Sequence, residues 1–352
     1  MSDRLARLLA SRPFLLADGA TGTNLFEAGL QTGDAPELWN IDHPEKIEAL
    51  HQGMLDAGAD IILTNSFGGT RHRLKLHKAQ DRVAEINGAA ARIARRTADA
   101  HAAATGREII VAGSIGPTGE LFEPLGPLTI ADGTEAFAEQ ARALADNGVD
   151  VLWVETMSSK DELQAAVAGA GSAGLPVVST LSFDTNGRTM MGVTPAEVAT
   201  LCHHLQPRPL AYGANCGVGA AELVAAVVNM SAGAEDGDVI VAKANCGIPY
   251  FEGSEIRYDG TPELMADYAR MALDAGARII GGCCGTSPAH LKAMRAALDS
   301  YSPGEKPSMQ DIVARLGQIS TGAERQASGE TAGEAEGGSR RRSRRRGSDA
   351  AE

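Results

Sequence analysis

Gly281-Gly282-Cys283-Cys284-Gly285-Thr286 carries the strongest chemical signal in this chain: two adjacent thiols among glycines, just after the apolar run Ala277-Arg278-Ile279-Ile280. Neighbouring strand residues point to opposite faces. Vicinal thiols therefore serve one site only where the backbone bends sharply, and glycine permits that bend. A third cysteine, Cys216 in Gly213-Ala214-Asn215-Cys216-Gly217, ends another apolar run. Three thiolates with an open fourth position describe a catalytic zinc site (Zn2+) rather than a closed structural one. The plainer reading makes these cysteines small buried hydrophobes, and the surrounding glycines weigh against it. Cys246 reads as a neighbour or packing residue of the site, and Cys202, inside an expected helix Pro195 to Leu205, as core. His72 and His77 are five apart, off the spacing that aligns two ligands on one helix face, and with Arg71, Arg73, Lys75 and Lys78 they read as a solvated basic face.

Such residues need a frame, and the apolar runs supply one. Eight short β-rich runs occur at Phe14-Leu15-Leu16, Asp60-Ile61-Ile62-Leu63, Ile109-Ile110-Val111, Val151-Leu152-Trp153-Val154, Val177 to Leu181, Leu210-Ala211-Tyr212, Val239-Ile240-Val241 and Ile279-Ile280. They are continuous rather than alternating, as parallel strands covered on both faces are. Ala-rich amphipathic segments such as Pro44 to Leu55 and Glu135 to Asp146 lie between them, and Gly58, Gly148 and Gly276 stand where helices should end. Eight strand–helix repeats predict a (β/α)8 TIM barrel over 1–302. A doubly wound sheet would carry a phosphate fingerprint, and Asp18-Gly19-Ala20-Thr21-Gly22-Thr23 has the wrong spacing for one. The polar and glycine clusters all follow the runs, at the barrel face where active sites sit. Residues 303–319 offer one further helix, from Met309 to Ile319. Residues 320–352 form a low-complexity tail with Arg340-Arg341-Arg342-Ser343-Arg344-Arg345-Arg346, expected to be disordered.

The 352 residues are 43% hydrophobic and 4% aromatic, with a formal net charge of −13. The body is thus a poor ligand for nucleic acid or anionic membrane, and only the arginine tail could contact RNA or an acidic partner. No run reaches the ~20 apolar residues of a membrane span. Five cysteines and no N-terminal apolar signal predict a reducing cytoplasmic setting.

The motifs Asp18-Gly19-Ala20-Thr21-Gly22-Thr23, Thr64-Asn65-Ser66-Phe67, Ile115-Gly116-Pro117-Thr118-Gly119-Glu120, Glu155-Thr156, Asn215-Cys216 and Gly282-Cys283-Cys284-Gly285-Thr286 together resemble the zinc-dependent homocysteine S-methyltransferases. That group includes betaine–homocysteine methyltransferases and the homocysteine module of cobalamin-dependent methionine synthase. The resemblance covers residues 10 to 300 or so and implies methionine formation, with zinc on Cys216, Cys283 and Cys284. A free thiol is mostly protonated at neutral pH, and a zinc ion deprotonates the thiol it binds, so no further catalytic residue is required. The resemblance also implies that Asp18 and Glu155 hold the homocysteine ammonium, that the backbone N–H groups of Gly19, Ala20 and Thr21 take its carboxylate, and that Asn215 lies beside it.

The methyl donor is less determined. Aromatic faces cage quaternary ammonium groups, and Trp39, after the first run, and Phe67, after the second, are the candidate walls, Trp39 reading equally well as a loop anchor. The tyrosines that animal betaine enzymes place after the strand-two and strand-four motifs are here Gly68 and Thr156. Bacterial betaine enzymes share the compact layout, so we favour glycine betaine, giving dimethylglycine. The alternatives are a separate methyl-corrinoid protein, or S-methylmethionine or another sulfonium. A homo-oligomer is expected. A reading of another class is a zinc- or redox-responsive binding module with an RNA-contacting tail.

Overall fold

The computed structural model describes residues 4–252 and 255–327. Its strands are β1 (Leu15–Leu16), β2 (Ile61–Leu63), β3 (Ile110–Ile115), β4 (Val151–Met157), β5 (Val177–Leu181), β6 (Ala211–Cys216), β7 (Ile240–Ala244), β8 (Pro249–Glu252), β9 (Glu255–Tyr258) and β10 (Ala277–Gly282). Eight of them form one parallel sheet in the order β1-β10-β7-β6-β5-β4-β3-β2. Its edges meet: Asp18 N–H donates to Ile61 O at 2.9 Å and Asp60 N–H to Leu16 O at 2.7 Å. The chain is a TIM barrel. All eight expected runs supply a barrel strand, and Gly58, Gly148 and Gly276 take φ values of 109°, 101° and 106° at the helix-to-strand joints.

Side-chain alternation then decides what faces the barrel axis. Leu15, Ile61, Ala112, Trp153, Val178, Ala211, Val241 and Ile279 fill the interior as one buried cluster. Leu5, Leu8 and Leu9 of the helix Arg4–Ser11 join it and plug the N-terminal end. Two residues further along the strands, the same inward face carries Ser114, Glu155, Thr180 and Lys243, and a step of four reaches Asn215 and Cys283. Strand parity thus delivers polar groups to the barrel mouth immediately above a dry core.

Two features depart from the sequence expectation. An antiparallel hairpin, β8 with β9, stands between β7 and its helix Pro262–Asp274. The packed chain also runs beyond residue 320: after the helix Met309–Leu316 comes a second, Thr321–Ala327, with Ala323 3% exposed. Small side chains let it fit closely against Asn186-Gly187, and the Gly322 N–H donates to Asn186 Oδ1 at 2.8 Å. Arg340 to Arg346 lie outside the described residues. No described helix is long and apolar enough to cross a membrane.

Candidate active site

β6 and β10 bring the three thiols together. The Sγ atoms of Cys216, Cys283 and Cys284 lie within 4.8 Å of one another, Cys216 and Cys284 being 4.0 Å apart. Sulfur ligands at about 2.3 Å from a tetrahedral ion stand about 3.8 Å apart, so the cluster fits a metal with small adjustment. Backbone geometry makes this possible. Cys216 adopts φ 61°, a left-handed conformation that non-glycine residues seldom take. Past β10, Gly285 has φ 79°, and a Cβ on Gly282 would collide with the Thr286 side chain. The Cys283 N–H donates to Ala244 O at 2.6 Å and the Cys284 N–H to Asn245 Oδ1 at 3.1 Å. Hydrogen bonds from the other two thiols hold Cys284 well below the usual thiol range and push Cys216 above it. One thiolate is stabilised by its neighbours, and a bound metal would expel the remaining protons.

Asn245, which the motif reading passed over, ties the two cysteine loops to each other: its Nδ2 donates to Gly217 O at 2.7 Å while its Oδ1 accepts from Cys284. The repeated Asn-Cys-Gly at 215–217 and 245–247 was the available signal. Asn215 is 1% exposed, accepts from Thr156 N–H at 2.8 Å and Thr180 Oγ1 at 2.6 Å, and points Nδ2 at Cys283 Sγ, 3.9 Å away.

Beside the thiols lies a buried charged group. Asp18 Oδ2 accepts from the Leu63 N–H at 2.7 Å, and its Oδ1 pairs with Lys243 Nζ at 2.8 Å. Lys243 is 2% exposed and was also missed, although a charge in Ile240-Val241-Ala242-Lys243-Ala244 marks a buried cation that needs a partner. Burial opposes its charge, but Asp18 and Glu155 hold its pKa above the ordinary lysine value. Glu155 Oε1 accepts from Ser114 Oγ at 2.5 Å, and burial pushes its pKa up to about 7 against the pull of Lys243. Of the three expected carboxylate-binding N–H groups, that of Ala20 already donates to Thr286 O at 3.0 Å. Those of Gly19 and Thr21 have no such partner among the described residues.

The aromatic residues divide. Trp39 is 7% exposed, packs with Leu25, Leu30, Ile47 and Ile93, and carries Lys46 Nζ 4.3 Å from its ring centre. It anchors the loop after β1 rather than walling an open pocket. Phe67 is 38% exposed at the barrel mouth, its ring against the Gly116 backbone. Tyr258, at the end of the unanticipated hairpin, lies over Gly285 and beside Cys284. Cys246 donates to Gly260 O at 3.3 Å and stays outside the thiol cluster, and Cys202 is buried against Ser179.

Residues 15–298 match the family described as homocysteine S-methyltransferase. The chain is 30% identical to the methionine synthase of Mycobacterium tuberculosis over 310 residues, 84% of this chain and 25% of that protein. The corresponding figures for the Mycobacterium leprae methionine synthase are 29%, 86% and 26%. The chain thus spans about a quarter of the length of these curated relatives. Among solved structures, the homocysteine methyltransferase MmuM from Escherichia coli, oxidized form, superposes with a TM-score of 0.69 at 26% identity, covering 84% of this chain and 99% of that one. Its metallated form superposes with a TM-score of 0.68. With a matched span that begins at β1 and closes one residue short of the end of the helix following the vicinal cysteines, the chain belongs to the homocysteine S-methyltransferase family.

Proposed function

We propose that this protein methylates homocysteine to methionine using zinc held by Cys216, Cys283 and Cys284. The observation that carries this reading is the three-thiol cluster opening onto buried carboxylates at the barrel mouth. Zinc at that position would keep the acceptor sulfur deprotonated, because an all-sulfur donor set suits this ion and lowers the pKa of a bound thiol. The chain's own residues orient the substrate. Glu155 faces the ammonium, Asp18 and Asn215 fix the walls around it, and the free N–H groups of Gly19 and Thr21 meet the carboxylate. The protein contributes positioning, since an in-line methyl displacement needs its two sulfur- and methyl-bearing partners aligned.

For the donor we favour glycine betaine, with Phe67 as the exposed aromatic face, since Trp39 is packed away. Similarity to methionine synthase supports a second reading, in which a methyl-corrinoid protein delivers the methyl group. The deciding experiment supplies zinc-loaded enzyme and homocysteine with betaine, S-methylmethionine, dimethylsulfoniopropionate or methylcobalamin in turn. Methionine from betaine alone supports the first reading. Methionine from methylcobalamin alone supports the second, and no methionine from any of them rejects both.

A further inference from the structure

Asp18 and Glu155 stand at one site with different freedom. Both oxygens of Asp18 are engaged, one by the Leu63 N–H at 2.7 Å and one by Lys243 Nζ at 2.8 Å. The lysine and aspartate side chains of this pair are 3% and 5% exposed. Glu155 accepts only from Ser114, on Oε1, and its Oε2 accepts from no described residue. A substrate ammonium arriving at Asp18 would stand beside the Lys243 ammonium, and two like charges in a dry site repel strongly. At Glu155 it would meet a buried carboxyl that the Lys243 charge reaches but that makes no direct ion pair among the described residues, so one oxygen stays open to a new donor. His51, also buried near Asp18, is held neutral by burial, so it adds no charge to this balance.

We infer that Lys243 is a positioning residue that closes Asp18 to the substrate, leaving Glu155 as the single carboxylate that recognises the acceptor's ammonium. The inference rests on homocysteine being the acceptor. Lys243 acts through Asp18, whose carboxylate it holds across the strand ends of β1, β2 and β7. It also offsets part of the negative charge that two carboxylates and three thiolates gather at the mouth. In this chain, then, the two acidic residues of the acceptor site are not equivalent: one is structural, the other selects the amino acid.

The test uses the full-length, zinc-loaded protein with homocysteine and with 4-mercaptobutyrate, which is homocysteine without its amino group. Calorimetric dissociation constants give a preference ratio for the amino acid over its analogue. Glu155→Gln should lower that ratio about tenfold or more, the worth of one charge-assisted hydrogen bond. Asp18→Asn should weaken both ligands together and change the ratio by less than about threefold, because the lost pair is not an ammonium contact. Lys243→Met releases Asp18, so the double variant Lys243→Met/Glu155→Gln should regain about threefold or more of the lost preference through the freed carboxylate. A lysine with a purely structural role would produce no such rescue. If Lys243→Met does not fold, Lys243→Gln makes the same comparison with a neutral partner for Asp18. A ratio that falls threefold or more in Asp18→Asn, or a double variant no better than Glu155→Gln, overturns the inference. Failure of the underlying reading looks different: the unmodified protein would then show no preference for homocysteine over 4-mercaptobutyrate.

Discussion

Cys216 reaches its partners only by adopting φ 61°, a conformation that costs on the order of 1 kcal/mol for a non-glycine residue. Strain of this kind persists where the surroundings impose it, and here the three sulfurs are what it brings together. Replacing Cys284 with alanine should therefore abolish stoichiometric zinc binding, read by elemental mass spectrometry, while circular dichroism shows an intact barrel whose apolar interior needs no metal. A Cys284→Ala protein that still holds one zinc would rule out the assigned ligand set. Glu155 offers a second test at this scale. Its pKa of about 7 in the fold exceeds the ordinary carboxyl value, so the folded state keeps a proton that the unfolded state releases. Stability is thus lost as pH rises from about 4.5 to about 7, and the loss persists above that window. In metal-free protein, Glu155→Gln should then add roughly 2–3 kcal/mol at pH 8 and little at pH 4.5, measured by urea unfolding, even though it weakens the acceptor site. Equal effects at both pH values would show that the carboxyl is not destabilised by burial.

Loops on this barrel are held by side chains of neighbouring units. Glu162, in the helix Lys160–Gly171, is 5% exposed and accepts from both the N–H and the hydroxyl of Thr118, at 2.9 and 2.7 Å. It thereby fixes the loop after β3 from the unit that follows. Gln140 similarly donates to Ser66 O at 2.7 Å and to Asn87 Oδ1 at 3.1 Å, holding the end of β2. Glu162→Ala should leave two buried donors unpaired and destabilise the protein by about 2 kcal/mol, with faster amide exchange confined to residues 116–120. Unchanged exchange there would mean that Pro117 and local turns suffice. These contacts also explain what the sequence could and could not reveal. The barrel strands were legible because short apolar runs and terminal glycines are local signals, and the cysteine pair was legible because vicinal thiols among glycines have few other uses. The Lys243–Asp18 pair joins residues 225 apart, which no local pattern encodes. Trp39 stayed open between ligand wall and loop anchor because a lone aromatic in a loop gives no hint of its packing partners. The hairpin of β8 and β9 went unread because its strands are short and follow β7 closely.

At the scale of the whole molecule, every exposed large hydrophobic residue among those described lies between a barrel strand and its helix or opens that helix, from Phe26 through Met190 to Tyr250. The apolar surface therefore gathers at the end that carries the site. The C-terminal extension spans the full height of this body. Near its start, Gly304 N–H donates to Asp274 Oδ1 at 2.7 Å and Lys306 Nζ to Ser231 Oγ at 2.9 Å, where two barrel helices end. Near its finish, the Ser320 N–H donates to Glu222 Oε2 at 2.8 Å, in the first turn of the helix Ala220–Ser231. Between these points Ile312 and Leu316 are 0% and 8% exposed, and Ala323 follows at 3%. The extension thus braces the helix that directly follows the Cys216 loop. Burying Ile312 and Leu316 contributes roughly 1.5–3 kcal/mol each towards ordering the strap. A chain ending at residue 327 should melt at the temperature of the full protein and bind zinc as tightly. One ending at residue 308 should melt lower by about 5 °C or more and lose zinc more readily to a chelator, because the helix behind Cys216 is no longer supported. Calorimetry and a chelator competition on the two truncations decide it: equal melting temperatures for both would show that the strap lies on the barrel without stabilising it, and a lower one already at 327 would place the stabilising contacts further along the chain.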